Sequence, residues 1–233
     1  MNLKDFKQGI QIPLMESGTY PCVCCGVIDV GTQKTSFNGI EKIKGEFRIV
    51  FEFPNELVEI DGEMKPRQLS RRFAKFTNEK SNFGIFMKSW RGRDFSQEEL
   101  ADFDLGNLLG MQGMGCVVHN TSKNNGKSYA NLDSVIQPIK GMDAGTPETL
   151  RYFVITDKET WPTFAHLPAF MQEEINKSEE CKYAPFVVDE NGNVSVDHRE
   201  PNGTLVEDPE ADISFEKTED SVPANELPAT PDF

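Results

Sequence analysis

The sequence predicts a mainly β protein built on a five-stranded Greek-key barrel with helices between the third and fourth strands. Three observations predict it: segments of apolar–polar alternation with a period of two, two helix signatures that interrupt them after the third, and an Asn-Gly pair between the last two. At 233 residues, 37% hydrophobic and 27% charged, the chain has room for one modest core plus appendages.

Met15 to Val30, Gly-flanked and rich in Val, Ile, Cys and Tyr, predicts the first strand, and Gly31 to Gly39 a polar connection. The second strand follows from Ile43, Phe47, Ile49, Phe51 and Phe53 on one face and Lys44, Glu46, Arg48 and Glu52 on the other, with Val50 the exception. Pro54 is expected to stop it, and Asn55 to Glu63 to turn the chain into a third strand over Arg67 to Thr77. Phe83, Phe86, Met87 and Trp90 stand at helical spacing from Ser81, with a stop at Arg91-Gly92-Arg93. Ser96 with Glu99 is a capping-box signature for a second short helix through Leu100 and Phe103 toward Leu108 and Leu109. Gly115 to His119 and Lys127 to Ile139 then read as strands, joined by a polar loop that ends in Asn125-Gly126.

This order matches a barrel of the oligonucleotide-binding (OB) type, and it is compatible with other small β barrels. In an OB barrel the ligand crosses the second and third strands, flanked by the first-to-second and fourth-to-fifth loops. The expected organisation is a barrel over 1–141, a small helical extension over 142–186 that docks on it, and an acidic, largely disordered tail over 187–233. In the extension, Arg151 to Ile155 reads as a short strand and Leu167 to Glu180 as a helix with Pro168 in its first turn.

Charge divides the chain unevenly. The net charge is −14, yet residues 1–141 hold 18 basic and 17 acidic residues, whereas 142–233 hold 6 and 21. Lys65 to Arg93 carries nine cations against Glu79 alone, interleaved with Phe73, Phe76, Phe83, Phe86 and Trp90. Cations among flat rings are what single-stranded nucleic acid needs for phosphate contact and base stacking. On the third strand Arg71, Phe73 and Lys75 share a face and Arg72 and Phe76 take the other; one of the two is core, and periodicity leaves both open. The expected nucleic-acid contacts are Arg48, Arg71, Phe73 and Lys75, with Arg91 and Arg93 on phosphates and Lys123, Lys127 and Tyr129 from the last hairpin. Trp90 is assigned to the core.

Other constellations carry less. Five Cys, three of them at Cys22, Cys24 and Cys25, suggest neither a disulfide framework nor zinc spacing; alternation makes Cys22 and Cys24 small core residues in a reduced, cytosolic protein. No apolar run is long enough to span a bilayer, and the first residues lack the apolar core of a secretory signal. Residues 189–200 match part of a calcium loop, but Val194 stands where Gly is needed, and Val187-Val188 and Val194-Val196 around Asn191-Gly192 fit a hairpin better. Asp61, Glu63 and Lys65 would serve a metal-dependent nuclease, and an acidic DNA-mimicking inhibitor of a protein partner is the other rival. No cofactor is expected.

Gly18-Thr19-Tyr20, Leu69-Ser70, Trp90-Arg91-Gly92-Arg93-Asp94-Phe95, Glu98-Glu99-Leu100 through Leu108-Leu109-Gly110, and Tyr129-Ala130 resemble a group of bacteriophage single-stranded DNA-binding proteins, over roughly residues 15–140. The resemblance implies an OB barrel, a role in phage DNA replication, recombination or repair in the bacterial host cytoplasm, and no catalytic activity. Pro231-Asp232-Phe233 is similar to the acidic tips of bacterial single-stranded DNA-binding proteins, which implies recruitment of phage or host replication and recombination proteins. Oligomerisation is left open.

Overall fold

A computed structural model describes residues 13–37, 40–60, 62–75, 80–96, 98–99, 102–123 and 125–198. Strands β1 (Gly18–Phe37), β2 (Ile40–Ile60) and β3 (Glu63–Ala74) form an antiparallel meander. Helix α1 (Asn82–Arg91) follows, then β4 (Gln112–Thr121) and β5 (Ser128–Ile136). The sheet order is β3-β2-β1-β4-β5, and the sheet curls into a half-barrel in which the outermost strands, β3 and β5, approach each other and α1 packs against both. A short β6 (Arg151–Phe153) runs parallel to β1.

Long alternating strands form here because the pattern places large apolar side chains on one face. Phe47, Ile49, Phe51 and Phe53 of β2 point inward with Phe73 of β3 and meet Phe83, Phe86, Met87 and Trp90 of α1. Ring pairs such as Phe73–Phe86 at 4.9 Å and Phe51–Trp90 at 5.0 Å tile the interior, each buried ring stabilising the fold by about 1.5–3 kcal/mol. Trp90 is core, its Nε1 donating to the Gln112 carbonyl. Helix α1 starts where Ser81 caps the Gly84 N–H and ends at Gly92, whose φ of 75° favours glycine.

The strands run further than their sequence suggested. The expected connection over Gly31 to Gly39 is instead the end of β1, paired with β2 as far as Phe37↔Ile40, so Ile43 lies on a projecting two-stranded arm and is 59% exposed rather than core. Pro54 does not end β2. It sits in a bulge between the pairs Phe53↔Arg67 and Leu57↔Pro66, where its missing N–H costs the ladder nothing, and β2 continues to a turn at Gly62. The expected capping box is present, with Ser96 Oγ accepting from the Glu99 N–H and the Glu99 carboxylate from the Ser96 N–H. Of the short helix foreseen beyond it, Leu100 lies outside the described residues, and a 3-10 turn, Leu105–Leu108, is capped by Asp104.

The outer face of the sheet is buried too. Cys25, Ile28 and Val30 of β1 and Val50 of β2 meet Phe153, Phe164, Met171, Ile175 and Phe186 of the C-terminal part in a second core. That part contains β6, a 3-10 helix over Lys158–His166, α2 (Ala169–Asn176) and a hairpin of β7 (Phe186–Val188) and β8 (Val194–Val196). The folded extension therefore passes the boundary expected at 186. In the β7–β8 turn, Asp189 accepts from the Asn191 and Asn193 N–H groups, the hairpin arrangement rather than a calcium loop. Gly31, at φ 71°, lets the extension approach: a Cβ there would lie 2.6 Å from that of Ser178. Among the described residues, no helix is long and apolar enough to cross a membrane.

Candidate nucleic-acid interface

Register separates the residues expected to act together. Arg48 pairs with Arg72 and Ile49 with Arg71, so Arg48 and Arg72 share the outer face while Arg71 and Phe73 share the inner one. Arg48 and Arg71, both expected to contact the same ligand, therefore lie on opposite faces of the sheet: a period of two within each strand did not reveal which residues stand opposite across the ladder. Phe73 is 2% exposed and packs on Phe47, Phe83 and Phe86, so its ring is part of the core and not an open stacking face. Arg71 is half-buried, its guanidinium 5.6 and 5.4 Å from the Phe73 and Phe86 ring centres.

Most of the other expected cations already hold carboxylates. Glu174 of α2 takes two hydrogen bonds from Arg48, at 2.6 and 3.2 Å, and one from Arg72 at 2.7 Å. Burial would raise the Glu174 carboxyl, but the hydrogen bonds from Arg48 and then Arg72 outweigh it and hold the group below the usual carboxylate range. Arg93 and Arg91 both bind Glu99, which is pulled down to about 2, first by Arg93, then by the Ser96 N–H and Arg91. Lys75 pairs with Asp29 at 2.7 Å. Lys123, Lys127 and Tyr129 stay on the exposed β4–β5 hairpin, where the Tyr129 hydroxyl accepts from Asn125 Nδ2 at 2.8 Å. Phe76, Asp61, Pro231, Asp232 and Phe233 lie outside the described residues.

Other cations line a groove. A groove of about 600 Å³ runs between the edge of β3 and the start of β5, walled by Lys65, Arg67 and Gln68 on one side, Tyr129 on the other, and Arg151 of β6 at one end. Tyr129, 44% exposed, offers a ring, and Glu148 is the acid on the lining. Arg67 Nη1 donates to the Pro13 carbonyl at 2.6 Å and Arg151 Nη1 to the Gln68 side-chain oxygen at 3.0 Å. Both arginines therefore rest on neutral oxygens, and a phosphate would add the ion-pair attraction that a neutral acceptor lacks. A recess of about 70 Å³ shares Gln68, Leu69 and Arg151 with this groove and carries Phe170, 53% exposed, with the Arg48 guanidinium 5.5 Å from its ring centre. Two open rings and two arginines thus line the groove and the recess that adjoins it.

No protein-family model matches this chain, and no curated protein matches it.

Sequence reasoning counted Lys65 and Arg67 among the basic segment without selecting them, and it missed Arg151 and Phe170. The visible signal was Arg67 at the start of the third strand, which shares the groove with Tyr129 once the sheet curls. Arg151 comes from the extension, 83 residues from Gln68, and nothing local marks it. The nuclease pair Glu63 and Lys65 is an exposed ion pair at 2.9 Å, with the Glu63 carboxyl lowered by that lysine. Cys22 and Cys24 fill the inner core, as alternation implied, and Cys25 the outer, and burial pushes the Cys22 and Cys25 thiols up to about 12.

Proposed function

We propose that this chain binds single-stranded DNA without strong sequence preference, in phage DNA replication, recombination or repair in the host cytoplasm, and that it works without a cofactor. The observation that carries the reading is the groove between β3 and β5, whose arginines, Arg67 and Arg151, hold neutral oxygens beside the open ring of Tyr129. Cations that accept phosphates and a ring that accepts any base form a sequence-tolerant site. The strand order, the approach of β3 to β5 and the helix between β3 and β4 support reading the sheet as a five-stranded Greek-key barrel of the OB type. The resemblance of residues 15–140 to phage single-stranded DNA-binding proteins supports the biological setting, and the acidic residues after 198 support recruitment of replication or recombination proteins through the C-terminal tip.

Relative to the expected residues, the site moves from the middle of β2 and β3 to the β3 edge, keeping Tyr129 and taking in Lys127 and Lys123 as outlying phosphate contacts. Fluorescence anisotropy of a labelled dT oligonucleotide against a matched duplex, at two salt concentrations with the full chain, tests it. Salt-sensitive preference for the single strand is expected, weakened by about 1–3 kcal/mol in Tyr129→Ala with little change in salt slope. Equal affinity for both forms, or an unaltered Tyr129→Ala, would overturn the assignment.

A further inference from the structure

Glu52 is the most deeply buried acid of the sheet, 1% exposed, on the outer face of β2 beside Val50. A carboxylate removed from water is costly unless hydrogen bonds replace its hydration. Here they do. Glu52 Oε2 accepts from Gln68 Nε2 at 2.9 Å, and Oε1 accepts from the Glu148 backbone N–H at 3.0 Å.

The chemistry of the three partners fixes their orientation. An ionised carboxylate only accepts, so the Gln68 amide must turn its NH₂ toward Glu52 and its oxygen away. That oxygen receives Arg151 Nη1 at 3.0 Å. Glu148 and Arg151 belong to the same entry into β6, so Glu52 holds this segment at both ends: the Glu148 backbone directly and the Arg151 side chain through Gln68. Arg48, Arg72, Arg91 and Arg93 are each neutralised by a carboxylate in contact. For Arg151, among the described residues, no carboxylate lies within ion-pair distance.

We propose that Glu52 is a positioning residue for DNA binding: through Gln68 it aims the Arg151 guanidinium into the groove while leaving its remaining donors for a backbone phosphate. This rests on the groove being the single-strand site, and it deepens that reading by assigning a buried acid and a residue of the extension to phosphate recognition.

The test measures dT-oligonucleotide affinity of the full chain as a function of salt for Glu52→Gln, Gln68→Met, Arg151→Ala and the Glu52→Gln/Arg151→Ala double variant. Arg151→Ala should weaken binding roughly tenfold at low salt and reduce the salt slope by about one. Glu52→Gln and Gln68→Met should each lower the slope in the same direction, and Glu52→Gln should add nothing once Arg151 is gone, the non-additivity of residues acting through one contact. Gln68 is exposed, so Gln68→Met cuts the relay even where Glu52→Gln fails to fold. A folded Glu52→Gln and a Gln68→Met that both bind with the wild-type slope, or a Glu52→Gln loss that adds in full to Arg151→Ala, would overturn the positioning role. If Arg67→Ala, Tyr129→Ala and Arg151→Ala all leave binding unchanged, the groove reading itself falls and takes this inference with it.

Discussion

Replacing Glu174 with Gln should loosen the extension from the sheet. The carboxylate receives three charge-assisted hydrogen bonds from two arginines, and its side chain is 12% exposed, with Arg48 at 18% and Arg72 at 42%. Breaking a fully buried ion pair costs about 3–5 kcal/mol, while exposed pairs contribute about 0–1. The Arg48 contacts lie near the buried limit and the Arg72 contact near the exposed one. Glutamine also keeps one acceptor oxygen, so the expected loss is about 2–3 kcal/mol. For a folded unit of this size each kcal/mol moves the melting temperature by about 2–4 °C, which predicts a drop of about 4–12 °C at pH 7. Acidity supplies the control. The folded Glu174 carboxyl lies below its ordinary value, so its stabilisation is complete above the unfolded carboxylate range and disappears as pH falls through the lowered folded value. Thermal denaturation followed by circular dichroism should show wild type and Glu174→Gln separated at neutral pH and converging in strong acid. Equal melting temperatures at pH 7, or a gap that persists undiminished in acid, would refute the clamp.

Phe73→Ala removes a ring enclosed by Phe47, Phe83 and Phe86 and should destabilise the fold by about 3–5 kcal/mol, measured by urea titration; a stable variant would mean the inner core is looser than its ring contacts imply. In the native protein at pH 8, Cys22, Cys24 and Cys25 should react slowly with a thiol reagent, and half-buried Cys116 should label first; prompt modification of the three buried thiols, read by mass spectrometry, would contradict their packing.

Where the sequence was legible, a single interaction dominated each element. Four inward aromatic or aliphatic residues marked β2, Ser81 and Gly92 marked the ends of α1, and Asn125-Gly126 and Asn191-Gly192 marked two hairpins. The outer core was illegible because polar residues disguise it. Glu46, Arg48 and Glu52 alternate with the apolar face of β2, yet Glu46 and Glu52 are buried: Glu174 and the Glu148 backbone of the extension hold Arg48 and Glu52, while Arg72 and Gln68 of β3 meet Glu46 and Glu52. Val50, the exception to the alternation, was the one apolar trace of that second contact on β2. The site was blurred for a related reason. Counting nine cations over Lys65 to Arg93 says nothing about Glu99 and Glu174, which arrive from outside the segment and neutralise some of its arginines, or about Asp29, which pairs with Lys75.

Strand β1 also bears on how the protein is made. Its neighbours Cys24 and Cys25 face different cores, so one strand serves as the wall of both. The buried residues of the inner core are all in place once β5 ends at Ile136, whereas the outer core waits for Phe186. At about 5–20 residues per second of synthesis, those fifty residues take roughly 3–10 s. For that interval Ile28, Val30 and Val50 face water on a finished sheet, and the nascent chain is at its most adhesive after its main body has already folded.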